Sequence, residues 1–257
     1  MSTIEEWESS LRSAQLVQQG LLPKKRHFER LFSESMVIYQ PKEIISGDFY
    51  WIGKKHDHRY IVVGDCTGHG ISASMTAVLA LNLLEYIIMN KGIKRPDRIL
   101  EELDKRFIES FTGHDQNNFD NPWIDIAIVS IDDHSDKMYF AAANRKIIHY
   151  SEKEGNQIIK ANGYPIGGWQ YHPERNFEQV QLNYDKGDKI YLGSDGYQDQ
   201  FGGPLNKKFG SSNLHNLIHS GAHLDMEEQK ERLSQALSNW KGNFEQTDDI
   251  CIVGIEV

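Results

Sequence analysis

The feature that most limits the possible folds is a set of aspartates that stand at the ends of apolar, strand-like runs. The clearest run is Tyr60–Gly64, whose almost unbroken apolar character predicts a strand buried on both faces, and Asp65 follows it directly. Aspartates in comparable places, next to glycine or a turn, are Asp48, Asp195 and the pair Asp248-Asp249. An isolated carboxylate at such a place loses hydration, which costs free energy. The fold therefore has to bring something that compensates these charges.

The rest of the pattern predicts one α+β domain. Strands are predicted over 36–39, 49–52, 60–64, 124–131, 137–143, 146–151, 157–161, 177–182, 189–192 and 249–257. Helices are predicted over 72–90, 97–111 and 225–240, and the polar segment 112–122 is predicted to be a surface loop. The tight polar link Asp132–Asp136 is typical of a hairpin, which favours largely antiparallel sheets covered by helices.

Residues 1–24 are predicted to form an N-terminal helix, a linker or dimerisation segment, ahead of a domain over 25–257. The helix carries apolar residues at near-heptad spacing, with Gln18 where the next one would stand: Ile4, Trp7, Leu11, Ala14 and Leu21. This spacing leaves two alternatives open. The helix packs on its own domain, or it forms a short coiled-coil seam with a second copy, which would make the protein a homodimer.

Composition excludes several classes of protein. Of the 257 residues 39% are hydrophobic, enough for a sizeable core, and the net charge of −9 argues against a nucleic-acid partner. The longest apolar stretch, 75–89, is interrupted by Asn82 and Glu85, which argues against membrane insertion of this segment. No secretory leader opens the sequence, and the two cysteines, Cys66 and Cys251, lack the spacing of a disulfide framework or zinc site. We expect a cytoplasmic protein.

The aspartates indicate the chemistry. A single Asp-Gly is usually a turn, but several such motifs in one chain, most of them beside an apolar run, favour a carboxylate cluster. No Lys or Arg stands beside these motifs, so bound cations are the expected compensation, and oxygen ligands select Mg²⁺ or Mn²⁺. Two such ions can hold and deprotonate a bridging water, which hydrolyses phosphomonoesters without a covalent intermediate. The sequence contains neither a Cys-x5-Arg loop nor a Gly-x-Ser-x-Gly elbow.

An ordered series of motifs covers essentially the whole chain: Leu21-Leu22-Pro23, Gly47-Asp48-Phe49-Tyr50, Gly64-Asp65-Cys66-Thr67-Gly68-His69-Gly70, Pro165-Ile166-Gly167, Ser194-Asp195-Gly196 and Thr247-Asp248-Asp249-Ile250. The series resembles the SpoIIE/RsbU-like branch of the PPM metal-dependent protein phosphatases. The resemblance implies an αββα sandwich of two antiparallel sheets flanked by helices, with a Mn²⁺ or Mg²⁺ pair at one edge. It also implies phosphoserine or phosphothreonine proteins as substrates, often anti-sigma-factor antagonists with a STAS fold.

The resemblance also implies a role for each motif residue. Asp65 bridges both metals, Asp48 binds one of them, and the main-chain carbonyl of Cys66 is a further ligand. Asp195 and Asp248 bind the other metal.

The remaining motif positions have secondary roles or depart from the family pattern. Asp249 is the less favoured partner of its pair, and Asp199 is a candidate for a water-mediated or third-metal contact. Eukaryotic-type members have a histidine, proposed as general acid, where Thr67 stands. His69, two residues later, is either a candidate for that acid or a helix-start residue that points away from the metals. Asn144 stands where many of those members have an acidic third-metal ligand.

Two other functions stay open at this stage. The first is a catalytically silent member that binds a phosphoprotein as an adapter. The second is a different two-metal phosphoesterase, such as a phosphodiesterase or nuclease, which would usually recruit histidine ligands beside aspartate.

Overall fold

The computed structural model describes residues 3–112, 122–168 and 175–257. The helices are α1 (Thr3–Leu21), α2 (Lys25–Phe28), α3 (Gly70–Glu85), α4 (Pro96–Phe111), α5 (Gly196–Asp199), α6 (Ser211–Gly221) and α7 (Met226–Lys241), and a π-helical turn (Tyr86–Asn90) continues α3. The strands are β1 (Ser35–Gln40), β2 (Asp48–Lys55), β3 (His58–Cys66), β4 (Trp123–Asp132), β5 (Lys137–Ala143), β6 (Lys146–Ser151), β7 (Gly155–Lys160), β8 (Ile166–Gly167), β9 (Val180–Asn183), β10 (Lys189–Gly193), β11 (Phe201–Gly202), β12 (Lys207–Lys208) and β13 (Ile250–Glu256).

Two antiparallel sheets form the centre of the fold. The first sheet has the strand order β1-β13-β10-β6-β7, and the second has the order β2-β3-β4-β5-β9, with β8 paired to β4. Helices α3 and α4 contact the second sheet, and α6 and α7 contact the first. This arrangement is the predicted αββα sandwich, so the expected fold class is confirmed.

Both faces of the first sheet are apolar because each is covered, one by the second sheet and the other by helices α6 and α7. In β10, Ile190 and Leu192 belong to the core shared with the second sheet, whereas Tyr191 between them packs with the residues under α6 and α7. Successive side chains point to opposite faces of a strand, so a strand covered on both sides needs apolar residues throughout. The nearly unbroken apolar runs of the sequence follow from this layering.

Helix α3 with its π-helical continuation, residues 70–90, is long and apolar enough to cross a membrane by length and composition, alone among the described residues. Half of its most apolar window is buried inside the fold. Ala73, Ala77, Ala80 and Leu84 lie in the main core, so here the stretch serves as a core helix of the sandwich.

Helix α1 is held to the domain at its C-terminal end and is exposed before that. Gln18 is 4% exposed, and its side-chain amide exchanges two hydrogen bonds with the backbone of Ser46, at 2.6 and 3.1 Å. Ile4 and Trp7 are exposed, Trp7 to 62%. The position that interrupts the apolar seam therefore faces the protein itself, and the first turns of the seam do not.

The predicted elements agree with the structure except in a few places. Helix α6 was not predicted, because three large apolar residues, Leu214, Leu217 and Ile218, within 11 positions give only a weak periodic signal. The strand predicted over 177–182 is observed as the shorter β9. Most of the predicted loop 112–122 lies outside the described residues.

Candidate metal centre

Three aspartates lie side by side on neighbouring strands of the second sheet. Asp48 in β2 is directly opposite Asp65 in β3, and Asp65 is directly opposite Asp125 in β4. Residues that face each other across antiparallel strands have Cβ atoms about 5 Å apart on one side of the sheet. We call Asp48, Asp65 and Asp125 the strand-borne aspartates. Asp125 was missed in the sequence, where the signal was a carboxylate inside an otherwise apolar strand.

Asp48 is the most deeply buried of the three, with 1% of its surface exposed. Its Oδ2 accepts a hydrogen bond from Ser194 Oγ at 2.5 Å, while its Oδ1 has no hydrogen-bond partner among the described residues. Burial raises the pKa of the Asp48 carboxyl well above its usual range, and the charge of Asp65 raises it further. The ionised form of Asp48 is therefore costly until a cation compensates it.

The other two strand-borne aspartates are perturbed in the same direction. Burial raises the pKa of Asp65 to about 7 against the opposing charge of Arg145, and Asp195 and Asp125 add to the rise. Burial also raises the pKa of Asp125, whose Oδ1 likewise lacks a partner among the described residues. Such a concentration of buried acid is typical of a functional site.

Two further aspartates approach from the first sheet. Asp195 lies between β10 and α5, and Asp248 lies two residues before β13, the neighbour of β10. Asp195 is 39% exposed at its side chain, and Asp248 Oδ1 accepts a hydrogen bond from the Asp249 amide at 2.8 Å. Burial raises the pKa of Asp248, and the charge of Asp195 contributes. We call Asp195 and Asp248 the turn-borne aspartates.

A cation lies among these acids, contrary to the expectation drawn from the sequence. The Arg145 guanidinium pairs with Asp65, and its nitrogens lie 3.2 Å from Asp195 and 3.5 Å from Asp125. Its side chain is only 10% exposed. Burial would lower the pKa of Arg145, but the charges of Asp65, Asp195 and Asp125 hold it above its ordinary value. Arg145 is distant in sequence from every aspartate motif, which is why the motifs alone did not reveal it.

The turn between β5 and β6 places Arg145. Asn144 adopts a positive φ of 57°, a conformation that asparagine tolerates better than most residues. Its Nδ2 donates to Asp125 Oδ2 at 2.8 Å, and its backbone amide donates to Asn162 O at 2.8 Å. Asn144, which stands where many eukaryotic-type members have an acidic third-metal ligand, therefore uses its amide to orient Asp125.

Two polar residues of the Gly64–Gly70 motif point to other partners. His69 Nδ1 lies 2.8 Å from Glu43 Oε1, and both side chains are exposed. Thr67 Oγ1 donates to the backbone carbonyl of Trp123 at 2.8 Å and so ties β3 to β4 beyond the strand-borne aspartates. The structure thus gives each of them a local structural contact.

Asp199 and Asp249 are likewise engaged elsewhere. Asp199 Oδ2 pairs with Lys208 Nζ at 2.8 Å on the surface. The two oxygens of Asp249 accept hydrogen bonds from the amides of Lys42 and Gly47, each at 2.7 Å. Asp249 therefore fixes the loop that leads into Asp48.

The Pro165-Ile166-Gly167 motif contributes to the frame of the site. Ile166 and Gly167 form β8 beside the start of β4, and Gly167 has a φ of +75°. A Cβ at Gly167 would come within 2.6 Å of the Pro122 carbonyl oxygen, which explains the glycine. Asp104 of α4 accepts a hydrogen bond from the Gly167 amide at 2.8 Å.

A cleft of about 370 Å³ opens beside the acids, and we call it the basic cleft. It is lined by the centre residues Asp125, Arg145 and Asp195 and also by Lys146 and Lys160. Burial lowers the pKa of Lys146, and the charges of Lys160 and Arg145 lower it further, because all three cations lie near one another.

The residues present suit a hard divalent cation by their donor type. The available donors are carboxylates and main-chain carbonyls, among which the buried Oδ1 atoms of Asp48 and Asp125 lack partners in the described residues. Within the same part of the chain, no three Asp, Glu, His or Cys residues are already arranged to hold one ion. The Arg145 guanidinium supplies the positive charge of the cluster in this arrangement.

Comparison with known proteins identifies the family. The family model for stage II sporulation protein E (SpoIIE) matches residues 55–257. The chain belongs to the SpoIIE family. No curated protein matches the sequence significantly.

Among solved structures, the SiaA-PP2C domain of Pseudomonas aeruginosa is similar to this SpoIIE-family domain over all of this chain and 99% of its own, with a TM-score of 0.88 and 26% identity. The PP2C phosphatase domain of Bacillus subtilis SpoIIE, solved with a regulatory fragment, is similar over 87% of this chain, with a TM-score of 0.67 and 18% identity. The RsbU and RsbW domains of Rv1364c from Mycobacterium tuberculosis are similar over the same share of this chain, with a TM-score of 0.65 and 19% identity. This chain covers only 63% and 59% of those two longer chains. The fold is that of a PP2C-type phosphatase domain.

Proposed function

We propose that this domain is a metal-dependent serine/threonine protein phosphatase that hydrolyses phosphoserine or phosphothreonine on a signalling partner. The observation that carries the proposal is the meeting of strand-borne and turn-borne aspartates, with buried carboxylate oxygens of Asp48 and Asp125 that no described group satisfies. Such a set of acids is unfavourable by itself and suits divalent cations. Metal dependence is general in this family, and one structural neighbour, RsbX, was solved in complex with magnesium.

Asp48, Asp65 and the Cys66 carbonyl would hold two Mn²⁺ or Mg²⁺ ions together with Asp195 and Asp248. When bound, the ions would supply Lewis acidity and charge for the attack of water on phosphorus. The carboxylates orient that centre, and Ser194 keeps Asp48 in place through its hydroxyl.

Arg145 has a different role in the proposal. Its planar guanidinium presents paired donors that match carboxylate and phosphoryl oxygens equally well. Once cations compensate Asp65 and Asp195, the same donors are available to a phosphoryl group at the edge of the basic cleft.

The substrate class rests on the family resemblance. A STAS-type anti-sigma-factor antagonist is the proposed partner, within a bacterial signalling system in the cytoplasm.

The test is turnover by the purified chain. With Mn²⁺ it should hydrolyse p-nitrophenyl phosphate and phosphoserine or phosphothreonine peptides, and EDTA should abolish this. Asp195→Asn should lower turnover by more than about 100-fold, since even residues that only orient metal ligands cost about 10–100-fold. The matched control is Asp185→Asn, because Asp185 pairs with Lys153 on the surface and is not a proposed metal ligand.

The alternatives predict different results. An adapter would bind phosphopeptides without hydrolysing them in any divalent metal. A phosphodiesterase or nuclease would prefer bis-p-nitrophenyl phosphate to the monoester. Full activity in metal-stripped buffer would exclude the proposed mechanism.

We also propose that α1 mediates homodimerisation, because Ile4 and Trp7 are exposed on the part of the helix that precedes its anchor. Removing residues 1–15 keeps Gln18 and its bonds to Ser46. Sedimentation should then detect a monomer where the full chain is a dimer. A monomer in both cases would refute the proposal.

A further inference from the structure

The basic cleft joins two regions of opposite charge. Part of its lining, Asp125, Arg145 and Asp195, belongs to the candidate metal centre. Its lining also includes Lys146, Lys160 and His215 of α6. A group that occupies the metal centre would therefore have a positively charged surface directly beside it.

Lys146 and Lys160 face each other across neighbouring strands. Lys146 in β6 is directly opposite Lys160 in β7. Like charges at directly opposed positions of antiparallel strands are destabilising. In the part of the chain that the structure describes, neither lysine forms an ion pair, although the protein has a net charge of −9. By contrast, Lys208, which also lies near the centre, is paired with Asp199.

The base of the cleft is apolar. Ile148 of β6, two residues after Lys146 on the same face of the strand, lies against Leu214 and Ile218 of α6. Tyr191 and Ile252 complete this base. The cleft therefore offers apolar contact next to paired cations, which suits an anionic group carried on a short aliphatic stem.

We propose that the basic cleft binds an anionic side chain of the phosphoprotein close to the residue that is dephosphorylated, and that Lys146 and Lys160 are its specificity-determining contacts. This inference rests on the proposed phosphatase function. The anion is a carboxylate or a second phosphate, since both offer the charged oxygens that lysine binds. Consecutive residues of a peptide lie 3.8 Å apart, so a residue near the phosphorylated one can reach the cleft beside Arg145.

The experiment measures kcat/KM with Mn²⁺ for three phosphoserine peptides of one parent sequence. The residues that flank the phosphoserine on both sides are Gln in the first peptide and Glu in the second. In the third peptide, one flanking residue is a second phosphoserine and the others are Gln. We expect the full chain to prefer at least one acidic peptide by about tenfold, which corresponds to about 1.4 kcal/mol. The better of the two acidic peptides identifies the anion.

Variants of the chain test which lysines cause the preference for acidic peptides. In Lys146→Gln/Lys160→Gln the ratio of acidic to neutral kcat/KM should fall to about one, and in Lys146→Glu/Lys160→Glu, which reverses both charges, it should fall below one. Lys207→Gln/Lys208→Gln removes the same charge near the centre but outside the lining of the basic cleft, and it should keep the wild-type ratio. If that control removes the preference instead, or if wild type hydrolyses all peptides equally, the basic cleft is not the subsite. If no peptide is hydrolysed at all, the proposed function itself fails.

Discussion

The second sheet and the first sheet hold their carboxylates in different ways. The strand-borne aspartates occupy one row across β2, β3 and β4, so sheet pairing sets their spacing before any ligand is present. The turn-borne aspartates follow or precede strands of the first sheet, where side chains are more exposed. One set is therefore fixed and costly to bury, and the other is adjustable and less costly. Arg145 contacts both sets, and its positive charge compensates carboxylates of each.

The largest expected effect is on Arg145. Removing one partner of a buried charge cluster costs about 3 kcal/mol or more, so Arg145→Gln should lower the free energy of unfolding by about that amount in EDTA. Mn²⁺ should restore most of the loss, because it compensates the same carboxylates. Urea titration with and without metal measures both.

Arg59→Gln is the matched control. Arg59 pairs with Asp133 at 2.6 Å, away from the aspartate row, so its loss should not be repaired by Mn²⁺. Wild-type stability of Arg145→Gln in EDTA would show that the guanidinium does not compensate the two sets.

Metal binding should produce the next largest effect. A ligand that binds only the folded state stabilises it by about 2.7 kcal/mol at a hundredfold excess over Kd, a rise in Tm of several degrees. Asp65→Asn, in the middle of the row, should lose nearly all of this rise. Asp248→Asn should keep part of it, since the other proposed ion retains its ligands. Equal losses of the Tm rise in thermal melts of the two variants would contradict the assignment of Asp65 to both ions and of Asp248 to one.

The smallest expected effect concerns the metal-free protein. Asp48 is buried and one of its oxygens has no hydrogen-bond partner among the described residues, so Asp48→Asn should raise the free energy of unfolding in EDTA by about 1 kcal/mol. Asp195 is partly exposed and paired with Arg145, so Asp195→Asn should change it by less than about 0.5 kcal/mol. Urea titration resolves the difference. Strong destabilisation by Asp48→Asn would mean that this carboxylate has a structural role.

Much of this architecture could be predicted from the sequence, because burial leaves a local signal. Apolar runs such as Tyr60–Gly64 predict buried strands, and their order with the flanking helices predicts the sandwich. Asp48 and Asp65 stand out because each adjoins a glycine and an apolar run. Asp125 and Arg145 could not be recognised in this way, because only strand pairing and the left-handed turn at Asn144 bring them to the site.

The partners of individual side chains could not be predicted from the sequence either. The spacing of α1 predicts a seam, but it does not tell that Gln18 faces Ser46 while Trp7 remains exposed. Side-chain partners such as Glu43 for His69 depend on loops whose course has no periodic signal.

The turn between β2 and β3 has a consequence for where this protein tolerates added residues. Only His56 and Asp57 connect the strands, and the pairing that begins at Lys55 and His58 runs seven residues to Asp48 and Asp65. That length is about 23 Å at 3.3 Å per residue. A single inserted residue that slips the register would turn Asp65 to the opposite face, unless a bulge absorbs it. A tag or labelling sequence placed in this exposed turn can thus destroy a centre that it never touches.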